Sequence, residues 1–236
     1  SAVVSGGAVA MFGTPDQDSV LQVLAVGCRF VGQVCGEYGG VLHSSSTTST
    51  QLVTSLEGCE FDDNVAGRGG GAMSVEGQAI VGAIEVSVSN SSFTSNSVVN
   101  ASSVAVDAGG SAVRLQDVVT LSLVDSVFTS NRAPSGGVLG IVGTPDQVSV
   151  LRVNASGCEF VGNVAVGGLG GVVRAVSTTQ TELSVVVGGG SVFRGNEAVG
   201  GGGVSIEGSA VEGTINVTIV ESGWFGNRAV GSSSSS

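Results

Sequence analysis

Apolar and polar residues alternate in a segment that recurs along the whole chain, each time just before an aromatic residue. In most copies the residues nine, seven and five positions before the aromatic are apolar, as with Ile84, Val86 and Val88 in the third copy, and Glu85 and Ser87 lie between them. A period of two predicts a β-strand with one buried and one solvated face. Only the sixth copy is displaced, by one residue. No segment has the 3.6-residue period of a helix.

The aromatic residues recur roughly every 32 residues, and most of them open a Phe-x-x-Asn tetrapeptide. The aromatic positions are Phe30, Phe61, Phe93, Phe128, Phe160, Phe193 and Trp224, and the asparagine positions are Asn64, Asn96, Asn131, Asn163, Asn196 and Asn227. In the first unit Gln33 takes the place of the asparagine. A repeat of this size predicts stacked units, none of which can bury its apolar face alone.

The unit is too short for a four-stranded propeller blade, which repeats at about 40 to 50 residues. We therefore predict an all-β parallel β-helix, a β-solenoid of about seven coils with roughly 32 residues per coil. The aromatic residues are expected to form a ladder inside it, and the asparagines a ladder at a turn where the left-handed conformation is tolerated. The Gly-Gly pairs between these anchors, for example at 39–40 and 109–110, are expected at corners.

The regular alternation of Gly-Gly-Ala-aliphatic tetrapeptides (GGAV at 6–9, GGAM at 70–73) with Phe-x-x-Asn resembles a known repeat. It is similar to the repeat of the polymorphic outer-membrane proteins of chlamydiae, which is also met in surface proteins of some algae and protists. The resemblance covers nearly the whole chain. The departures FVGQ (30–33) and WFGN (224–227) suggest a relative of that repeat rather than a chlamydial protein. Membership implies a right-handed parallel β-helix at a cell surface, with an adhesive or structural role.

A longer period is superimposed on the short one. Residues 5–34 match residues 135–164 at 19 of 30 positions, and later units match at an offset of 131 residues. Four coils therefore form a super-repeat, complete in 5–134 and partial in 135–231. We expect one solenoid domain over 1–231, with the Ser-rich residues 232–236 continuing into a further coil of a longer tandem array.

Composition narrows the classes of function. Charged residues make up 11% of the chain, aromatic residues 4%, and there are 40 glycines, which suits a narrow interior of small aliphatic side chains. The net charge of −11 opposes binding to nucleic acid, which requires clustered basic residues. No apolar run approaches the roughly 18 to 20 residues of a membrane span. No motif for a cofactor is present.

Four Asn-x-Ser/Thr sequons are candidate glycosylation sites in an extracellular protein. They begin at Asn90, Asn100, Asn154 and Asn216. The strand phase puts Asn154 and Asn216 on outward positions, Asn90 at a turn and Asn100 in the longest loop.

The cysteines Cys28, Cys59 and Cys158 each lie two residues before a Phe, where the other units have Ser. This is a small inward position that suits a buried free thiol. Adjacent coils would also place Cys28 and Cys59 about 4.8 Å apart, within the Cα range of a disulfide. Cys35 is an alternative partner for Cys28. The sequence leaves buried thiols and one disulfide both open, and it contains no Cys-x-x-Cys zinc pattern.

We expect no enzymatic activity. The candidate carboxylates are Asp16, Asp18, Asp62, Asp63 and Asp146, and the sequence places them at turns. The single histidine, His43, has no catalytic partner within its own unit.

The chain is expected to be a structural or adhesive segment of a surface fibre, with copies of itself, adjacent coils of the same array, surface glycans or matrix proteins as partners. The alternative is a carbohydrate-active β-helix enzyme or a carbohydrate-binding module, which would need carboxylates converging in a groove.

Overall fold

The computed structural model of the chain consists of short β-strands wound into a solenoid. It describes residues 6–13, 19–46, 50–77, 84–99, 110–143, 148–177, 181–208 and 213–231. Within these residues it contains 27 strands and no helix, and every pair of neighbouring strands is parallel. The predicted parallel β-helix is confirmed.

The strands form four ladders, which we name sheets A to D. Val113–Val124 is long enough to belong to two of them, so sheets A and B share that strand and join into one sheet of 13 strands. Sheet A contains Val9–Phe12, Leu42–Ser46, Met73–Gly77, the first half of Val113–Val124, Leu139–Val142, Val173–Ser177 and Val204–Gly208. Sheet B contains Ser19–Val26, Thr50–Glu57, Ile84–Ser89, the second half of Val113–Val124, Ser149–Ser156, Thr181–Gly188 and Thr214–Ile219.

The other two sheets are built from strands of two or three residues. Sheet C contains Arg29–Val31, Glu60–Asp62, Ser92–Thr94, Val127–Thr129, Glu159–Val161, Val192–Arg194 and Gly223–Phe225. Sheet D contains Val34–Cys35, Val65–Ala66, Ser97–Val98, Arg132–Ala133, Val164–Ala165, Glu197–Ala198 and Arg228–Ala229. One strand from each sheet, in the order A to D, makes a coil. We number the coils 1 to 7 along the chain, so six turns separate the first and last strand of each ladder.

The alternation in the sequence correctly predicts which side chains of sheet B face the interior. Ile84, Val86 and Val88 of coil 3 are buried, whereas Glu85 and Ser87 point outward and are exposed. The same division holds in the coils above and below, because like positions are paired in register. Stacking therefore converts a local period of two into a continuous apolar interior.

The displaced sixth unit keeps this register by means of one extra residue at a corner. Leu183 lies opposite Leu151, as the pattern requires, and Gly188 lies opposite Ser156. Two glycines, Gly189 and Gly190, both with positive φ, then fill the corner that one residue fills in the other coils. The insertion is absorbed in the turn, and the strand and the buried Phe193 remain aligned with their neighbours.

The corner at Phe-x-x-Asn differs in detail from the expectation. The left-handed residue is the one before the asparagine, as at Asp63 (φ 52°) and Ser95 (φ 54°), and the asparagine itself does not have positive φ. Glycine takes this preceding position in other coils, for example Gly162. The asparagine is therefore required for its side chain and not for its backbone conformation.

The two residues of a Gly-Gly pair are glycines for different reasons. The first has positive φ in every coil except coil 4, as at Gly136 (φ 63°). At the second, Gly137, a Cβ atom would overlap the carbonyl oxygen of Gly171 in the next coil. In coil 4 the pairing of Val113 with Met73 puts Gly110 and Ser111 in this register, so the sequence-based placement of the pair at 109–110 was wrong by one residue.

We predict that Gly137→Ala destabilises the fold by about 2 to 3 kcal/mol, because the backbone of coil 6 must move to admit the methyl group. The measurement is the free energy of unfolding from denaturant titration. Gly36→Ala is the matched control, since Gly36 has no atom within 4 Å of a built Cβ and does not have positive φ. Its effect should stay within about 1 kcal/mol. Equal losses in the two variants would contradict the close approach of the coils.

Candidate functional site: the interior ladders and the two ends

The aromatic residues form one continuous stack inside the solenoid, as predicted. Consecutive Phe rings have centroids 4.5 to 5.0 Å apart and are close to parallel. The stack ends with Phe193 against Trp224, at 3.9 Å and an interplanar angle of 3°. Each pair contributes about 0.5 to 1.5 kcal/mol beyond its buried area. Trp224 is confirmed as the seventh aromatic position.

The asparagines form a second column, fully buried except at Asn227 and connected by side-chain hydrogen bonds. The backbone N–H of Asn131 and its Nδ2 both donate to Oδ1 of Asn163 in the next coil, each at 3.0 Å. Nδ2 also donates to the carbonyl oxygen of Phe93 in the preceding coil, at 2.8 Å. Oδ1 of Asn131 accepts from the backbone N–H and Nδ2 of Asn96. The column has a direction: each of coils 1 to 6 donates to the asparagine of the coil that follows it.

The column ends differently at its two extremities. In coil 1, Gln33 donates its backbone N–H to Oδ1 of Asn64 at 2.9 Å, but its side chain turns back and donates to the carbonyl oxygen of its own neighbour Val31. In coil 7, Asn227 accepts from Asn196 and donates Nδ2 to the carbonyl oxygen of Phe193. The sequence located this column, but its direction follows only from the three-dimensional arrangement.

The position two residues before the aromatic forms a third column, of Ser and Cys. The backbone N–H of Cys59 donates to Oγ of Ser91, and that of Ser91 donates to Oγ of Ser126 in the next coil. The site therefore selects a small side chain that can accept a hydrogen bond. Burial raises the pKa of the Cys59 and Cys158 thiols, so both are held in the protonated, less reactive form.

All four cysteines are free thiols in this structure. Cys28 and Cys59 occupy equivalent places on adjacent coils, because the next residues, Arg29 and Glu60, are paired in register. Cys35 is buried in sheet D, and Cys158 lies three coils away from Cys59. A disulfide between Cys28 and Cys59, or between Cys28 and Cys35, stays a prediction.

A buried polar cluster on the outer side of sheet A was not foreseen from the sequence. Tyr38 and Gly69 lie over this side, in two of the segments that lead from sheet D to sheet A, and they pair with each other. Arg114 is only 2% exposed beneath them. Its Nη1 is 2.6 Å from Oε1 of Glu76, and its guanidinium carbon lies 4.6 Å from the centre of the Tyr38 ring. A Cβ on Gly69 would overlap Cδ of Arg114, so a side chain at this position would displace the arginine.

His43 lies at the edge of this cluster and is also buried. Its ring centre is 5.5 Å from that of Phe12 and 6.1 Å from that of Tyr38. Burial lowers the pKa of His43 below the ordinary value of 6.5; the positive charge of Arg114 also lowers it, and Glu76 partly offsets both. Glu76 and Arg114, which act on His43 electrostatically, belong to coils 3 and 4.

Exposed ion pairs connect adjacent coils on the outer surface. Arg29 pairs with Glu60 at 3.0 Å, and Arg152 pairs with Glu182 at 2.6 Å. Such exposed pairs are worth about 0 to 1 kcal/mol each. They set local charge complementarity between coils and contribute little to stability.

The sequons that the structure describes lie at the surface. Asn90 is exposed at a corner with φ 49°, and Asn154 and Asn216 are exposed on the outer side of sheet B. Asn100 lies outside the described residues. Occupancy of the sequons by glycans stays a prediction.

The candidate carboxylates do not form a common site in the part of the chain that the structure describes. Asp63 is exposed in the left-handed corner position, and Asp62 beside it is half-buried. Asp16, Asp18 and Asp146 lie outside the described residues. No group of three or more His, Cys, Asp or Glu side chains suited to holding a metal ion occurs among the residues described. Over the same residues, the fold has no helix with the length and apolar character needed to cross a membrane.

Apolar residues are partly exposed at both ends of the described solenoid. In coil 7 the residues that continue the interior columns of sheets B and C are partly exposed: Ile215 41%, Val217 41%, Ile219 45% and Trp224 38%. In coil 1 the corresponding residues, such as Leu21 and Phe30, are also only partly buried. Each end thus presents apolar side chains surrounded by strand edges, and such edges are prone to pair with further strands.

Comparison of the chain with protein-family models, with curated proteins and with solved structures gave no match. The resemblance to the chlamydial repeat thus remains an observation on the tetrapeptides of the sequence.

We predict that Asn131→Leu destabilises the solenoid by about 3 kcal/mol or more, because it leaves the N–H of Asn96 and the carbonyl of Phe93 buried without partners. Chemical denaturation measures this loss. The control is Asn154→Leu on the exposed side of sheet B, where coil 1 already has Leu24 at the matching position. The control should change stability by no more than about 0.5 kcal/mol. A small loss for Asn131→Leu would show that the column is dispensable.

We also predict that acid weakens the fold through His43. A lowered pKa in the folded state means that the unfolded chain binds the proton more readily, so this contribution to stability is complete above pH 6.5 and is lost as the pH falls below it. The measurement is the free energy of unfolding between pH 8 and pH 5, for the wild-type chain and for His43→Phe. Because His43 is the only histidine, the difference between the two curves isolates its titration. Parallel curves would contradict the prediction.

Proposed function

We propose that this chain is a structural or adhesive segment of an extracellular surface fibre, built from a longer tandem array of the same coils. The observation that carries the proposal is the repetition of nearly the same contacts from one pair of neighbouring coils to the next. Phe stacks on Phe, Asn bonds to Asn, and the second Gly of a pair such as Gly136-Gly137 lies against the next coil. Adding coils lengthens such a rod without requiring any new interaction.

The mechanical role follows from the same contacts. Pulling along the axis loads the hydrogen bonds between coils in parallel, from four sheets and from the asparagine column together. A solenoid in which each unit contacts only its neighbours can be extended to any length, as in other repeat proteins. This makes a stiff rod with a long lateral surface.

The outer surface supports a location outside the cell. The described sequons at Asn90, Asn154 and Asn216 are all accessible to glycosylation, and the net charge of −11 would keep parallel rods apart in solution. The proposed partners are copies of the chain, adjacent coils of the array, and surface glycans or matrix proteins that contact its exposed side.

The alternative, a carbohydrate-active enzyme or carbohydrate-binding module, gains no support from the described carboxylates. Several of these, including Glu60, Glu76 and Glu182, are engaged by arginines of adjacent coils.

Immunogold labelling of intact cells of the source organism tests the proposal. An antibody raised against the purified chain should label filaments on the outside of unpermeabilised cells, visible by negative-stain electron microscopy. Antibody preabsorbed with the chain is the control for specificity. Labelling that appears only after permeabilisation, or that marks dispersed particles instead of filaments, would overturn the proposal.

A further inference from the structure

The open end at coil 7 has a counterpart inside the molecule. The offset of 131 residues makes coil 7 equivalent to coil 3: Ile215 corresponds to Ile84, Val217 to Val86 and Trp224 to Phe93. In coil 3 these residues are 0 to 2% exposed, because coil 4 covers them. In coil 7 the same positions are about 40% exposed. The difference marks a surface that is complete only when another coil is stacked on it.

The asparagine column shows which hydrogen-bond acceptor a coil stacked on that surface must supply. Asn96, the counterpart of Asn227, donates its backbone N–H and one amide proton to Oδ1 of Asn131 in coil 4, at 3.0 and 3.1 Å. Asn227 uses Nδ2 toward Phe193, and in the described part of the chain no asparagine follows it to accept the other two donors. A coil that covers coil 7 buries these donors, so it has to bring an acceptor to the same place.

Coil 1 does not supply this acceptor. Its residue at the column position is Gln33, one methylene longer than asparagine, and the side chain is turned onto the carbonyl oxygen of Val31. Coil 5, which otherwise matches coil 1 closely, has Asn163 at this position, and its Oδ1 accepts both donors of Asn131. Coil 1 of a second copy would therefore bury the donors of Asn227 without satisfying them.

We infer that the exposed end at coil 7 is a docking surface for one kind of partner, a coil of this repeat with the properties of coil 4. Such a coil carries an asparagine at the column position, an aromatic ring to stack on the free side of Trp224, and aliphatic residues to cover Ile215 and Val217. The order of the four-coil period selects the coil-4 type, since that coil follows coil 3 within the chain. Coil 1 of another copy is not the partner of this surface, because its Gln33 does not supply the acceptor. The inference rests on the array proposed above and specifies how it continues.

An extended chain tests this inference. It consists of residues 1–231 followed by a second copy of residues 101–134, so that the copied coil 4 follows coil 7 as the original follows coil 3. Trp224 is the only tryptophan and reports on the surface directly. Acrylamide quenching of Trp224 should fall several-fold relative to the unextended chain, and its emission should move to shorter wavelength.

The matched control is the same extension with Asn131→Gln in the copied coil only, which reproduces the residue type found in coil 1. Loss of the acceptor should lower the docked population by about tenfold or more, seen as a return of quenching and of amide hydrogen exchange at Asn227. The unextended chain should remain monomeric in sedimentation velocity, with Trp224 accessible at all concentrations.

Three outcomes would overturn the inference. If the coil-4 extension leaves Trp224 accessible, a coil of this type is not the partner. If both extensions protect Trp224 equally, the asparagine acceptor does not select it. If the unextended chain assembles with concentration and protects Trp224, the occupant is a second copy. All of these are measured on purified protein, so they are independent of whether the chain is found in filaments at a cell surface.

Discussion

Register between coils depends on the buried asparagine column. Aliphatic side chains and Phe rings tolerate small sliding movements, because their attraction is non-directional. The Asn131 amide does not tolerate them, since it is fully buried and makes directional hydrogen bonds to both neighbouring coils. A slip of one residue would leave several buried polar groups unpaired and would also turn each apolar row outward. The column thus makes one stacking arrangement far more stable than its alternatives.

Glycine and small side chains follow from the same constraint. Coils that approach closely enough for these hydrogen bonds leave no room for a Cβ at Gly40, Gly71, Gly137 or Gly171, although coil 4 has Ser111 at this position. Tight corners need a left-handed residue just before the asparagine, as at Asp63 and Ser95. The high glycine content is therefore a consequence of narrow coils that touch at every corner. It does not indicate a loosely ordered chain.

Direction is the property of the column with the greatest bearing on function. Because the bonds between asparagines always run from one coil to the asparagine of the following coil, the two ends of the column are chemically different, with Gln33 at one and Asn227 at the other. A rod with unlike ends can be extended in a defined order, which a symmetric stack of apolar rings could not ensure. The cluster of His43, Glu76 and Arg114 adds a second layer outside sheet A. Because the pKa of His43 is lowered there, the stability of the fold is expected to depend on pH.

The sequence by itself determined the repeat, the inward face of sheet B, the aromatic stack and the presence of an asparagine column. These follow from local periodicity, which is the same whether or not the coils are assembled. Sheets C and D, the left-handed residue before each asparagine, and the register of Gly110 and Ser111 were decided by the tertiary structure. So was the burial of Arg114, whose partners Tyr38 and Glu76 lie far from it along the chain. The physical reason is that hydrogen bonds and burial between coils depend on which residues are brought face to face, and stacking brings together residues that are about 32 or more positions apart.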